Sequence, residues 1–198
     1  MQNRTDQVLK NTKVALLFFA VLMTMNFIAR SVFIKHLGAE VLGVNTMLGN
    51  LIGFLNLAEL GMTSAIASAL YSPIAENNRK DISAIITIQD WFYRKVGFIV
   101  IIGGIILMIF LPWIFQKSQL PLWNIYALFA VLWLSSLTTY FVTFTQVLLI
   151  AEMKEYKISL YVKSLFILKL IIQITLLTTF NFGFKSWFLI EVIHLVLS

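Results

Sequence analysis

Apolar residues in this chain come in long runs rather than in alternating or narrow-stripe patterns. The first, from Val14 to Ile34 (VALLFFAVLMTMNFIARSVFI), contains a single charged side chain, Arg30. Crossing a hydrocarbon core takes about 20 apolar residues at a rise of about 1.5 Å each, so the run predicts a transmembrane helix. It is too long for a secretory leader and lacks a small-residue cleavage site. Further runs at 41–72, 96–115, 122–151, 158–180 and 187–198 predict five more spans. Runs of this length without period-two alternation exclude barrel strands. The expected fold is therefore all-α, a polytopic transmembrane bundle of about six spans.

Two stretches break the regularity. Residues 76–95 (ENNRKDISAIITIQDWFYRK) mix charges with Ile82, Ile85, Ile86, Trp91 and Phe92. That pattern predicts an amphipathic helix on the membrane surface, linking the first hairpin to the rest. The sixth run reaches only about 18 Å of helix against a core of about 30 Å. A truncated last span, and a chain that is a piece of a longer protein, are the expectation.

Composition agrees with this reading. Hydrophobic residues make up 60% of the chain and charged residues 12%, about half the charged share of a soluble domain. The net charge of +6 acquires meaning from position. Arg4, Lys10, Lys13, Arg79, Lys80, Arg94, Lys95, Lys154, Lys157 and Lys163 fall on one side of the predicted membrane, against Lys35, Lys117 and Lys185 on the other. The bias puts the amino terminus in the cytoplasm and gives no reason to invoke nucleic acid. Cysteine is absent, and His36 and His194 are the only histidines. No metal or other cofactor is predicted.

Ionisable groups inside spans are expensive in lipid and so are candidate functional residues. Four stand out: Arg30, Glu59, Lys169 and Glu191. Asn26 lies one turn before Arg30 on the same face. In the second span Asn45, Gly49, Asn56, Glu59 and Thr63 share one face at 100° per residue, a polar stripe that must avoid lipid. It serves either a cavity or bonding between helices. The fourth span carries Ser135, Thr139, Thr143 and Gln146 at helical spacing, with the same two readings. Lys169 and Glu191 fall at similar depth and are expected to pair, with His194 on the Glu191 face. Arg30 and Glu59 differ in depth by about 15 Å and are not. No phosphate loop, zinc-binding helix, nucleophile elbow or paired-carboxylate motif occurs, so enzymatic function is not expected.

One segment is more specific. Residues 37–86 contain Leu37-Gly38-Ala39-Glu40 and Leu42-Gly43, then Leu57-Ala58-Glu59-Leu60-Gly61, and Tyr71-Ser72-Pro73 before a charged linker. With Arg30 ahead of them and 148–160 (LLIAEMKEYKISL) after, these residues resemble bacterial polysaccharide repeat-unit flippases. Those belong to the multidrug/oligosaccharidyl-lipid/polysaccharide exporter superfamily. The resemblance covers essentially the whole chain and implies the N-terminal lobe of a two-lobe transporter in a bacterial inner or plasma membrane. It implies a lipid-linked oligosaccharide as cargo, carried on undecaprenyl pyrophosphate. Arg30 and Lys169 become headgroup ligands, and Asn26, Asn45, Asn56, Glu59, Gln146 and Glu191 further cavity candidates. A missing C-terminal lobe or a second copy would complete the path. The alternatives are a cation-coupled multidrug exporter of the same superfamily and an inactive gene fragment.

Overall fold

The computed structural model describes residues 4–59, 61–141, 146–180 and 183–197. All regular elements among them are helical: α1 (Arg4–Leu37), α2 (Ala39–Asn56), α3 (Met62–Ala75), α4 (Arg79–Ile114), α5 (Leu122–Phe141), α6 (Gln146–Ala151), α7 (Glu155–Thr175) and α8 (Gly183–Leu197). A short 3-10 turn, Leu57–Glu59, follows α2. A π turn, Leu176–Phe180, follows α7.

Among the described residues four helices are long and apolar enough to cross a membrane: Asp6–Leu37, Arg79–Ile114, Leu122–Phe141 and Glu155–Thr179. Between 11% and 22% of each apolar window is buried within the protein. Many of the other residues are exposed, Leu16, Phe19, Ile109 and Trp113 among them. That much exposed apolar surface suits lipid and not water, and the chain is a membrane protein.

The boundaries differ from the sequence reading at several places. The run at 41–72 is not one continuous helix. It breaks between α2 and α3, where Gly61 adopts φ +78°, a left-handed conformation that glycine enters without a Cβ penalty. The linker at 76–95 is not a separate surface helix. Asn78 accepts the Asp81 backbone N–H as a cap, and the helix then runs unbroken through the expected third span to Ile114. Its 36 residues extend about 54 Å, well beyond the hydrocarbon core. Within the run at 122–151 the described residues form α5 and α6, and 142–145 lie outside them. The last helix starts at Gly183, four residues earlier than Trp187.

Two cores lie on either side of the α2–α3 break. Beside α2, Val44, Leu48 and Ile52 pack on Leu111, Ile125, Leu128 and Phe129, with Phe33, Leu177 and Trp187 closing the cluster. Beside α3, Ile66, Ala67 and Leu70 pack on Tyr93, Val96, Val100, Tyr140 and Val147. Gly104 lets α5 approach α4: a Cβ there would lie 2.1 Å from the Trp133 indole nitrogen, which donates to the Val100 carbonyl at 3.1 Å. On the other flank α1 packs along α7, and α7 against α8.

Candidate functional site: a cationic cavity between four helices

The α1–α7 pair and the α7–α8 hairpin leave a cavity of about 620 Å³ facing α2. Helix α1 contributes Asn26 and Arg30, α2 contributes Asn45 and Thr46, α7 contributes Lys169 and Gln173, and α8 contributes Glu191. Phe27, Phe33, Phe166, Leu170 and Trp187 supply apolar wall. These polar groups meet because each recurs at helical spacing on one face: Asn26 and Arg30 are one turn apart, as are Lys169 and Gln173.

The depth argument for Lys169 and Glu191 holds in the structure. Lys169 Nζ lies 3.0 Å from Glu191 Oε2, with side-chain exposures of 11% and 15%. Gln173 Nε2 donates to the other carboxylate oxygen at 3.0 Å. The Lys169 ammonium also stands 4.8 Å above the Phe166 ring centre. Arg30 differs in kind. It is exposed to the cavity mouth, and no hydrogen bond or ion pair reaches its guanidinium among the described residues. Asn26, also exposed, spends its amide N–H on the Leu22 carbonyl at 2.7 Å.

Three other candidates lie away from this cavity. Glu59 Oε1 accepts from the Thr63 hydroxyl at 2.7 Å and from the Tyr93 hydroxyl at 2.9 Å. Asn56 Oδ1 accepts from the Ser136 hydroxyl at 2.7 Å and the Tyr140 hydroxyl at 3.1 Å. The two acceptors fasten the α2–α3 break to α4 and α5, which is bonding between helices. Gln146 sits half-buried at the start of α6. The second-span stripe is thus divided: Asn45 faces the cavity, while Asn56, Glu59 and Thr63 face inward. Thr143 lies outside the described residues. Of the fourth-span row, Ser135 is half-buried and Thr139 exposed. Ser136 and Tyr140, one position on, are the residues packed into the core.

The residues that sequence reasoning passed over are Gln173, Tyr93, Ser136 and Tyr140. A test for uncharged polar groups one turn from an intramembrane charge would have found Gln173, which is 5% exposed. His194 packs edge-on to Phe166, with ring centres 6.0 Å apart. Its Nε2 is buried without a partner among the described residues. No group of three or more metal-ligating side chains gathers among them either. No protein-family model, curated protein or solved structure matches the chain.

Chemically, the cavity combines a free guanidinium, a lysine held in place by a carboxylate, several amide and hydroxyl groups, and aromatic walls. Such a set accommodates an anion joined to a polar body. An entering anion competes with Glu191 for Lys169 and meets no competitor at Arg30.

Proposed function

We propose that this chain is the N-terminal lobe of a polysaccharide repeat-unit flippase in a bacterial plasma membrane, with its amino terminus in the cytoplasm. Its cargo is an oligosaccharide on undecaprenyl pyrophosphate, moved from the inner to the outer leaflet. The observation that carries the reading is Arg30, without an ion pair or hydrogen bond at its guanidinium among the described residues, on a cavity shared with Lys169. A cation inside a span is costly unless it meets an anion. The forked guanidinium suits the adjacent oxygens of a pyrophosphate, and Lys169 adds a point charge once the anion displaces Glu191 from it.

Two features support this reading. Asn45 and Thr46 line the same cavity and offer hydrogen bonds of the kind sugar hydroxyls make. The Leu57–Gly61 segment, the most specific part of the family resemblance, coincides with the α2–α3 break. The break lies outside the cavity lining and supports the reading through the resemblance alone. A cation-coupled drug exporter would instead call for an acidic cavity, and the charge here has the opposite sign. A second lobe would form the facing wall.

The test is transfer of a fluorescent undecaprenyl-pyrophosphate sugar between leaflets of proteoliposomes containing the chain. Replacing Arg30 by Ala should slow transfer by about tenfold, the loss expected for one charge-assisted contact. Arg30→Lys should fall between Ala and the native residue. Transfer that is unchanged in Arg30→Ala removes the headgroup role. No transfer of any lipid-linked sugar by the native chain, with or without a second lobe, removes the whole reading.

A further inference from the structure

A second feature of the α1–α7 flank is separate from the transport reading. A groove of about 750 Å³ runs along the outside of the two helices. Its wall is apolar through Leu16, Phe19, Leu22 and Met23 and polar at Thr12 and Asn26, and among the described residues Lys163 is its one cation. Leu16, Phe19 and Met23 are 64%, 67% and 68% exposed, so the apolar wall faces the membrane uncovered.

Lys163 is placed unlike the other lysines of that end of the bundle. It stands on α7 eight residues beyond Glu155, about 12 Å into the helix, where bare lipid would be a poor neighbour. Among the described residues its ammonium meets the Phe18 ring, 5.9 Å from the ring centre, and forms no ion pair. Glu155 borders the smaller hollow below, which Lys163 also lines, but the two form no ion pair within 4.0 Å among the described residues. The groove therefore has its cation on the side of the basic loops, beside Phe18, and beyond it an apolar wall through Phe19 and Met23 that ends at the exposed Asn26. That polarity matches a lipid of the adjoining leaflet, with its phosphate at the loop end and an acyl chain directed toward mid-membrane.

We infer that the α1–α7 groove is a binding site for an anionic phospholipid, with its phosphate on Lys163 and one acyl chain along Leu16, Phe19 and Met23. The charge selects a phosphate headgroup without a compensating cation, such as phosphatidate, over a zwitterionic one. The site lies on the lipid-facing side of α1. It meets the central cavity only at Met23 and Asn26, which line both.

Native mass spectrometry of the purified full chain in detergent tests this. Palmitoyl-oleoyl phosphatidate is titrated against phosphatidylcholine of the same chains, with inorganic phosphate as competitor. Phosphatidate should bind one to one and about tenfold more tightly than phosphatidylcholine, as one charge-assisted contact allows. Lys163→Gln should abolish the preference, while Lys163→Arg keeps it. Lys13→Gln, which removes an equal charge from the neighbouring surface, should leave it intact. Leu16→Trp, at an exposed position that requires no repacking, should weaken both lipids. The inference is overturned if Lys163→Gln retains the preference or Lys13→Gln loses it equally. It is also overturned if Leu16→Trp changes nothing, or if inorganic phosphate displaces the lipid at equal concentration, since the tail groove then plays no part.

Discussion

Lys169 on α7 and Glu191 on α8 form an ion pair at 3.0 Å, and Gln173 occupies the second carboxylate oxygen. The pair ties the last two helices together and sets the electrostatics of the cavity. With Glu191 engaged, Lys169 is neutralised in place, and the free positive charge belongs to Arg30.

Removing one partner should therefore cost more than removing both. Glu191→Ala leaves an ammonium in a largely enclosed site, and roughly 3 kcal/mol of stability should be lost. Lys169→Met with Glu191→Met should recover most of it. Thermal unfolding in detergent, followed by helical circular dichroism, measures both. Equal stability of the single variant and the native chain would show that the pair contributes little.

The α4–α5 contact depends on the absence of a side chain at Gly104. Gly104→Ala forces the Trp133 ring away and breaks its bond to the Val100 carbonyl. A loss of about 1–3 kcal/mol should follow, with a red shift in tryptophan emission if the ring moves outward. Trp133→Leu in the same chain should restore part of the stability.

At the other end of the bundle Glu40 accepts from the Ser118 hydroxyl and the Gln119 backbone N–H. These bonds, the hydroxyl first, hold its carboxyl below the ordinary value of 4.5. A depressed folded-state pKa means the contribution is complete above the unfolded value and lost as pH falls through the folded one. The melting temperature should decline on acidification below pH 4.5, and Glu40→Gln should flatten that limb. A native profile that Glu40→Gln reproduces would contradict this.

Asn11 holds the turn between α6 and α7. Its amide donates to the Met153 carbonyl at 3.0 Å, and its carbonyl oxygen accepts from the Tyr156 N–H at 3.0 Å. Met153 sits at φ +59°, a conformation that needs such support. Asn11→Ala should lose about 1–2 kcal/mol and speed hydrogen exchange at the Tyr156 amide. Asn11→Asp, which keeps the acceptor, should preserve protection at Tyr156 while losing the Met153 bond.

Residue order alone establishes the membrane and the helices. In lipid every backbone group must be paired within its own segment, so long apolar runs have few options. Depth is legible for the same reason: it is residue count multiplied by a constant rise, which put Lys169 and Glu191 at one level before any packing was known. Azimuth is not legible in that way. Every polar residue of a span can be placed on some face, and only contact with a neighbour decides which face is inward. Packing of α5 on α4 selected Ser136 and Tyr140 over Ser135 and Thr139. It also turned Asn56 and Glu59 toward hydroxyl partners and left Asn45 on the cavity. The break at Gly61 and the continuity of α4 through residues 76–95 were likewise settled in three dimensions. A glycine permits a left-handed residue without requiring one, and a charged first half does not stop a helix whose cap and neighbours allow it to continue.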